Sequence, residues 1–218
     1  RLSDSVKMRK LSTKDSKIAF IRYRKNTVNL RTNIRKSFLA AHKSDHLLPK
    51  TPKGSAYSPS SWVPLKGAGV VPRTPYPHQK EAWKQLDRLM LSNDPRGSIV
   101  LPTGSGKTDT IAVWLLAQMH KNPDLRVLWI THQQELISQA ILRLQDLAKC
   151  APSDFSRRAR RIFGGASAPS TLGEETLDIA AITFQSLRGV SSEKGNPLDC
   201  FLERPTIVVV DEAHHAGS

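Results

Sequence analysis

The sequence predicts a doubly wound α/β domain, and three observations lead to this prediction. Four short apolar runs have the length of β-strands: Ser98–Leu101, Arg126–Thr131, Ile179–Thr183 and Thr206–Val210. These runs are continuous rather than alternating, as in a parallel sheet that helices cover on both faces. Segments with helical apolar spacing lie between them, and this alternation of strands with helices is typical of an open parallel sheet.

Helical spacing predicts helices over residues 78–90, 107–120 and 134–149. The third has the clearest apolar face, formed by Leu136, Ile137, Ala140, Ile141, Leu144 and Leu147. We therefore expect a domain over residues 73–218.

The charge of the chain is concentrated in its N-terminal part. Residues 1–70 hold 16 Lys and Arg against three acidic residues, whereas the rest of the chain is nearly neutral. Residues 1–28 give no firm element, and apolar spacing among basic residues predicts a short helix over 29–42. Residues 1–46 are interpreted as a basic extension that either binds a polyanion or is a solvated tail. Frequent prolines predict a linker over 47–72.

The composition restricts the class of protein. The 218 residues suffice for one domain with an extension, and no apolar run has the length of about 18 residues that a membrane span needs. Cys150 and Cys200 lack the spacing of a disulfide framework or a zinc site. We expect an intracellular protein without membrane contact. The chain begins at Arg1 and stops at Ser218, so we also expect a fragment of a larger protein.

A Gly-rich segment, LPTGSGKT, lies between the first predicted strand and a predicted helix. Glycines in this context let backbone N–H groups close around phosphate oxygens, the lysine supplies charge to the β and γ phosphates, and the last threonine can ligate Mg²⁺. The general pattern has Gly where this chain has Leu101. The segment predicts an ATP site formed by Thr103, Gly104, Ser105, Gly106, Lys107 and Thr108.

An acidic pair, Asp211 and Glu212, directly follows the last predicted strand. In an open parallel sheet ligands bind beyond the carboxyl ends of the strands, so this pair and the Gly-rich loop are expected at one edge. Asp211 is then the candidate for the Mg²⁺ shell, and Glu212 the candidate that polarises the attacking water. Lys107, Asp211 and Glu212 form the predicted catalytic set.

The two motifs together resemble motifs I and II of superfamily 2 helicases, which tolerate Leu at the first P-loop position. LWITHQQELISQ resembles motif Ia, ITFQSL resembles motif Ib, and PYPHQ resembles the Q-type motif. The form of motif Ia and the second histidine of DEAHH are similar to the branch of restriction-enzyme motor subunits and DNA-repair helicases. The resemblance implies the first RecA-like domain, truncated after motif II, with motif III and the second RecA-like domain missing.

The resemblance also implies roles for further residues. Thr131, His132, Thr183 and Phe184 fall in motifs that line the nucleic-acid groove, and His214 has the coupling role. Gln79 would read adenine, because an amide matches the donor and acceptor on the adenine edge. The family more often has an aromatic residue where this chain has His78, so Tyr76 could stack on the base instead. For each of these positions, a purely structural role is the alternative.

The resulting prediction is the ATP-binding half of an ATP-dependent helicase or translocase that uses Mg²⁺ and moves on nucleic acid, with DNA favoured over RNA. Alone, the chain is expected to hydrolyse ATP negligibly, because the arginine finger of the missing domain contributes about 10³ to 10⁵ in rate in related enzymes. The alternatives are a P-loop ATPase that acts on another substrate and an ATP-binding nucleic-acid sensor without unwinding activity.

Overall fold

The structure is a computed structural model, and it describes residues 16–24, 62–72, 74–93, 95–102, 104–163, 169–188, 190 and 196–211, with the backbone alone for 16–24. Seven strands are present in this part of the chain: β1 Ser16–Arg24, β2 Val63–Lys66, β3 Arg96–Pro102, β4 Arg126–Thr131, β5 Ser156–Ile162, β6 Ile179–Thr183 and β7 Thr206–Val210. The helices are α1 Pro77–Met90, α2 Lys107–Lys121, α3 Gln134–Ala148, α4 Phe184–Arg188 and α5 Pro197–Leu202, with a 3-10 turn at Pro169–Gly173.

The strands form one open sheet in the order β2-β5-β6-β4-β7-β1-β3. Within the run β5-β6-β4-β7, neighbouring strands pair in parallel, and β2 pairs antiparallel with β5 at one edge of the sheet. Strand β1 pairs antiparallel with both β7 and β3, so β3 runs in the same direction as β7. Five parallel strands therefore form the body of the sheet, which confirms the predicted α/β class and is consistent with a RecA-like fold.

The core lies on both faces of the central strands. Every residue of β4, β6 and β7 is buried, which explains their continuous apolar sequences. On one face these strands pack against α2 and α3, whose buried residues include Trp114, Leu115, Ile137 and Ile141. On the other face, Phe201 of α5 packs against the opposite side of the same strands. Among the described residues, no helix is long and apolar enough to cross a membrane.

Strand β3 differs from the prediction of a strand covered on both faces. Its residues alternate between exposed and half-buried, and Val100 is 43% exposed. The physical reason is position, because β3 is the edge strand of the sheet and Ile99 on its covered face packs on the core. An apolar run of this length fits an edge strand as well as a central one.

Three further strands lie where the sequence predicts none. β1 falls within residues 1–28, β2 falls within the predicted linker, and β5 contains the arginine cluster of residues 157–161. The N-terminal part of the chain thus contributes two strands to the sheet. The predicted helix over 29–42 lies outside the described residues.

The segment after β2 is fixed to the loop between α3 and β5 by main-chain hydrogen bonds. Gly67 N–H donates to the Phe155 carbonyl at 2.9 Å, and Gly69 N–H donates to the Ala151 carbonyl at 2.9 Å. A Cβ atom at Gly67 would lie 1.7 Å from the Pro152 carbonyl oxygen. Only glycine permits this close approach of the two backbones.

We therefore predict that Gly67→Ala lowers the free energy of unfolding by about 1–3 kcal/mol, the usual range for overpacking. Gly173→Ala is the matched control, because its Cβ would lie 3.9 Å from the nearest atom and would change stability by less than about 0.5 kcal/mol. Urea unfolding of both variants measures the difference. Equal stability of the two would contradict the docking of this segment.

Candidate functional site: a nucleotide site at one edge of the sheet

The Gly-rich loop connects β3 to α2, as the sequence predicts. Gly104 and Gly106 have φ angles of 79° and 76°, in the left-handed region that glycine adopts without strain. Between them, the Ser105 N–H and hydroxyl both donate to the Pro102 carbonyl, at 3.2 and 2.7 Å. The loop thus turns sharply from strand to helix, with backbone amides near the helix start, where anions bind. Thr103 lies outside the described residues.

The first residues of α2 carry the predicted phosphate and metal ligands. Lys107 is buried, with 8% of its surface exposed, and Thr108 is half-buried. Both belong to the first turn of a 15-residue helix, whose dipole adds positive potential at this end. The first turn is anchored by Thr110, whose N–H and hydroxyl donate to the Gly106 carbonyl at 2.8 and 2.9 Å.

Asp211 follows the carboxyl end of β7 and is 9% exposed. Its N–H donates to the Ile130 carbonyl at 2.9 Å, which continues the β4–β7 ladder by one residue. Because β3 and β7 run in the same direction, Asp211 and the P-loop lie at the same edge of the sheet. Glu212 and His214 lie outside the described residues, so their roles stay predictions.

The start of α1 lies against the P-loop. The Gln79 side-chain nitrogen is 3.1 Å from the position of a Cβ on Gly106, so this amide packs directly on the loop. Its carbonyl oxygen accepts a hydrogen bond from the Tyr76 N–H at 3.0 Å. The His78 ring contacts the Ser105 carbonyl oxygen at 2.9 Å and stacks on Tyr76 with centroids 5.6 Å apart. Gln79, Tyr76 and His78 therefore border one side of the candidate nucleotide site.

Two indole hydrogen bonds join α1 to α2. Trp83 Nε1–H donates to the Thr110 carbonyl at 2.7 Å, and Trp114 Nε1–H donates to Asp87 at 2.8 Å. These bonds connect the middle of α1 with the first and second turns of α2. The adenine-side residues and the P-loop helix are thereby held as one packed unit.

The residues predicted to contact nucleic acid lie at the same edge, but most of them are buried. Thr131 and Thr183 are paired in register at the ends of β4 and β6, with 0% and 4% exposure. The Thr183 hydroxyl accepts from the Ser186 N–H at 3.1 Å, and Phe184 packs in the apolar core. These contacts favour the structural alternative for these side chains. His132 is half-buried, and its contact with nucleic acid stays a prediction.

A match to a protein-family model shows which family this chain belongs to. Residues 73–218, more than half of the chain, match the model of "Type III restriction enzyme, res subunit". The chain belongs to this family. Residues 73–218 are therefore a superfamily 2 helicase-like ATPase domain, which is an ATP-using motor domain. Neither a curated protein nor a solved structure matches the chain.

An ion pair joins the P-loop helix α2 to α3 in this domain. The sequence alone does not reveal it. Arg143 binds Asp109 through two parallel bonds, Nε to Oδ1 at 2.5 Å and Nη2 to Oδ2 at 2.6 Å. A third bond runs from Arg143 Nη1 to Asp146 at 2.8 Å. The hydrogen bonds to Asp109 raise the pKa of Arg143 above its ordinary value.

The arginine cluster of residues 157–161 is part of strand β5. Arg157 donates to the Met119 carbonyl at 2.6 Å, and Arg160 pairs with Glu174 at 2.5 Å. The Arg160 guanidinium also lies 4.1 Å from the ring centroid of Trp62. Arg157 and Arg160 thus make contacts within the protein.

We predict a coupling free energy of about 0.5–1 kcal/mol between Asp109 and Arg143, because bidentate pairs are stronger than other surface pairs yet remain screened by solvent. The measurement is a double-mutant cycle with Asp109→Ala and Arg143→Ala by urea unfolding. Asp124 and Arg204 form the matched control pair, since their charged atoms are 3.9 Å apart and Asp124 is 82% exposed. A coupling no larger than that of the control pair would contradict the predicted contribution.

Proposed function

We propose that this chain is the ATP-binding half of a motor that moves on nucleic acid, with DNA favoured over RNA. The observation that carries the proposal is the position of the P-loop and Asp211 at the same sheet edge, within a domain of a helicase-like ATPase family. A strand-to-helix loop with two left-handed glycines is suited to binding phosphates. A second RecA-like domain would complete the site with an arginine finger.

The chemistry follows from the residues at this edge. The backbone amides at the start of α2 and Lys107 hold the β and γ phosphates and neutralise the charge that develops on them. Thr108 and Asp211 offer the hydroxyl and carboxylate oxygens that Mg²⁺ prefers, and Mg²⁺ usually takes only one or two protein carboxylates together with phosphate oxygens. Within the described part of the chain, no group of three or more His, Cys, Asp or Glu is placed to hold a metal.

Glu212 directly follows Asp211 and is the proposed base for the attacking water. Gln79 is proposed to read adenine, because its amide packs beside the P-loop. This role requires the Gln79 carbonyl oxygen to exchange its bond with the Tyr76 N–H, or the amide nitrogen alone to contact the base. Tyr76 is 65% exposed and stacks on His78, so its outer face is open to a purine ring.

Nucleic acid is proposed to lie over the carboxyl ends of β4 and β6. Since Thr131 and Thr183 are buried, the contacts are assigned to main-chain amides at the start of α3 and to His132. Phosphate contacts of this kind position the strand without reading its sequence. His214 is proposed to couple this surface to the hydrolytic site.

We predict that Lys107→Ala in the full-length protein reduces ATP hydrolysis by at least about 10²-fold, since it removes charge stabilisation in the transition state. Lys121→Ala is the matched control, because Lys121 is an exposed lysine at the opposite end of the same helix. Steady-state ATPase assays of both variants provide the test. Retention of most of the turnover by Lys107→Ala would overturn the proposed function.

The basic N-terminal extension is proposed to bind the nucleic-acid backbone. Deletion of residues 1–70 is a poor test, because it removes strands β1 and β2 from the sheet. We predict instead that replacing Arg31, Arg35 and Lys36 with Gln weakens binding at low salt. The slope of log K against log salt should flatten by roughly 0.7 to 0.9 for each interaction with a phosphate group that the substitutions remove.

The control for this experiment neutralises three exposed charges on the helices, at Lys84, Arg88 and Lys121. Salt titrations against one duplex and one single strand compare the two triple variants. If the N-terminal variant has the wild-type slope with both the duplex and the single strand, the N-terminal extension is a solvated tail or binds a protein instead.

A further inference from the structure

The side chain of His78 reaches from α1 to the main chain of the P-loop. Its Nε2 lies 2.9 Å from the Ser105 carbonyl oxygen, across a sequence separation of 27 residues. Since a carbonyl oxygen only accepts, the His78 Nε2 must carry the proton and donate it. The bond therefore joins the beginning of α1 to the peptide between Ser105 and Gly106.

The geometry of the peptide bond gives this contact a consequence at the phosphate site. A trans peptide is planar, so the carbonyl of one residue and the N–H of the next point in opposite directions. When His78 holds the Ser105 carbonyl on the side of α1, the Gly106 N–H faces away from α1. In a phosphate-binding loop, the N–H groups that point inward are the ones that bind the phosphates.

Gly106 is also the residue whose peptide has most need of a restraint. Its φ of 76° lies in a region that glycine can leave easily, because glycine adopts positive and negative φ at similar cost. The Ser105 N–H and hydroxyl donate to the Pro102 carbonyl, which fixes the peptide on the N-terminal side of Ser105. The bond from His78 holds the peptide between Ser105 and Gly106, so both peptides that flank Ser105 are restrained.

The His78 ring is itself held in place. It stacks on Tyr76 with an angle of 8° between the ring planes, and the adjacent Gln79 is fixed by its bond with the Tyr76 N–H. The indole bonds of Trp83 and Trp114 fix α1 against α2. The donor on His78 is thus carried by a rigid element, as a positioning group requires.

We propose that His78 is a positioning residue that aims the Gly106 amide at the phosphates of the bound nucleotide. The inference rests on the proposed nucleotide site, and it gives His78 a role toward the phosphates rather than toward the base. This role also gives a reason for a histidine at a position where the family more often has an aromatic residue, because the histidine donates a hydrogen bond to the loop.

The test compares two replacements that separate the ring from the donor. His78→Phe keeps an aromatic ring beside Tyr76 and removes the donor, whereas His78→Gln restores a side-chain N–H at a similar distance from the backbone. The ligands are tripolyphosphate, which has no base, and adenosine, which has no phosphate. Isothermal titration calorimetry of the full chain measures the Kd of each, with thermal melts to verify folding.

We expect His78→Phe to weaken tripolyphosphate binding by about 2- to 10-fold, the equivalent of one hydrogen bond. Adenosine binding should be unchanged, and His78→Gln should bind both ligands like the wild type. His120→Phe is the matched control, since His120 is an exposed histidine near the far end of α2. Unchanged tripolyphosphate binding in His78→Phe, or a loss confined to adenosine, would overturn the inference.

A second measurement needs no variant. The structure requires the His78 proton on Nε2, which ¹⁵N chemical shifts of the ring report directly, and a proton on Nδ1 alone would overturn the inference. The proposed function fails separately: a wild-type chain that binds neither ATP nor tripolyphosphate overturns both proposals. If the wild type binds ATP and tripolyphosphate, and His78→Phe binds tripolyphosphate equally well, only the role of His78 is overturned.

Discussion

The site depends on the common direction of strands β3, β4, β6 and β7. Because they run in the same direction, their carboxyl ends meet at one edge, and each loop that leaves this edge delivers polar groups to the same region. The P-loop follows β3, and Asp211 follows β7. Strand β1 sets the spacing between them, since it pairs with both strands in the opposite direction.

Around this edge the helices form a connected series of contacts. His78 and the two indole bonds hold α1 on the P-loop and α2, and the Asp109–Arg143 pair holds α2 on α3. Since α3 begins just after His132, a rigid series of elements joins the nucleotide side of the edge to the proposed nucleic-acid side. In the proposed motor, this series of contacts is the candidate connection between ATP hydrolysis and the grip on a nucleic-acid strand.

The sequence predicts the elements whose signal is local. The bounds of β4, β6 and β7 agree with the prediction because wholly buried strands are continuous apolar runs, and the P-loop is recognised by its own residues. Elements that depend on distant partners escape prediction. Arginines mask the strand pattern of β5, Pro64 hides the four-residue β2, and β1 is specified by pairing with strands about 80 and 190 residues later. The contact of His78 with Ser105 likewise follows from the fold and not from any motif.

The central claim is that ATP hydrolysis at this sheet edge is coupled to nucleic acid. The most direct measurement is the rate of ATP hydrolysis by the full-length protein as DNA or RNA is added at several salt concentrations. Coupling predicts that turnover rises with nucleic acid, and that the concentration needed for half of the stimulation increases with salt, since phosphate contacts release counterions. Turnover that is the same with and without nucleic acid, at every salt concentration, would contradict it and favour an ATPase that acts on another substrate.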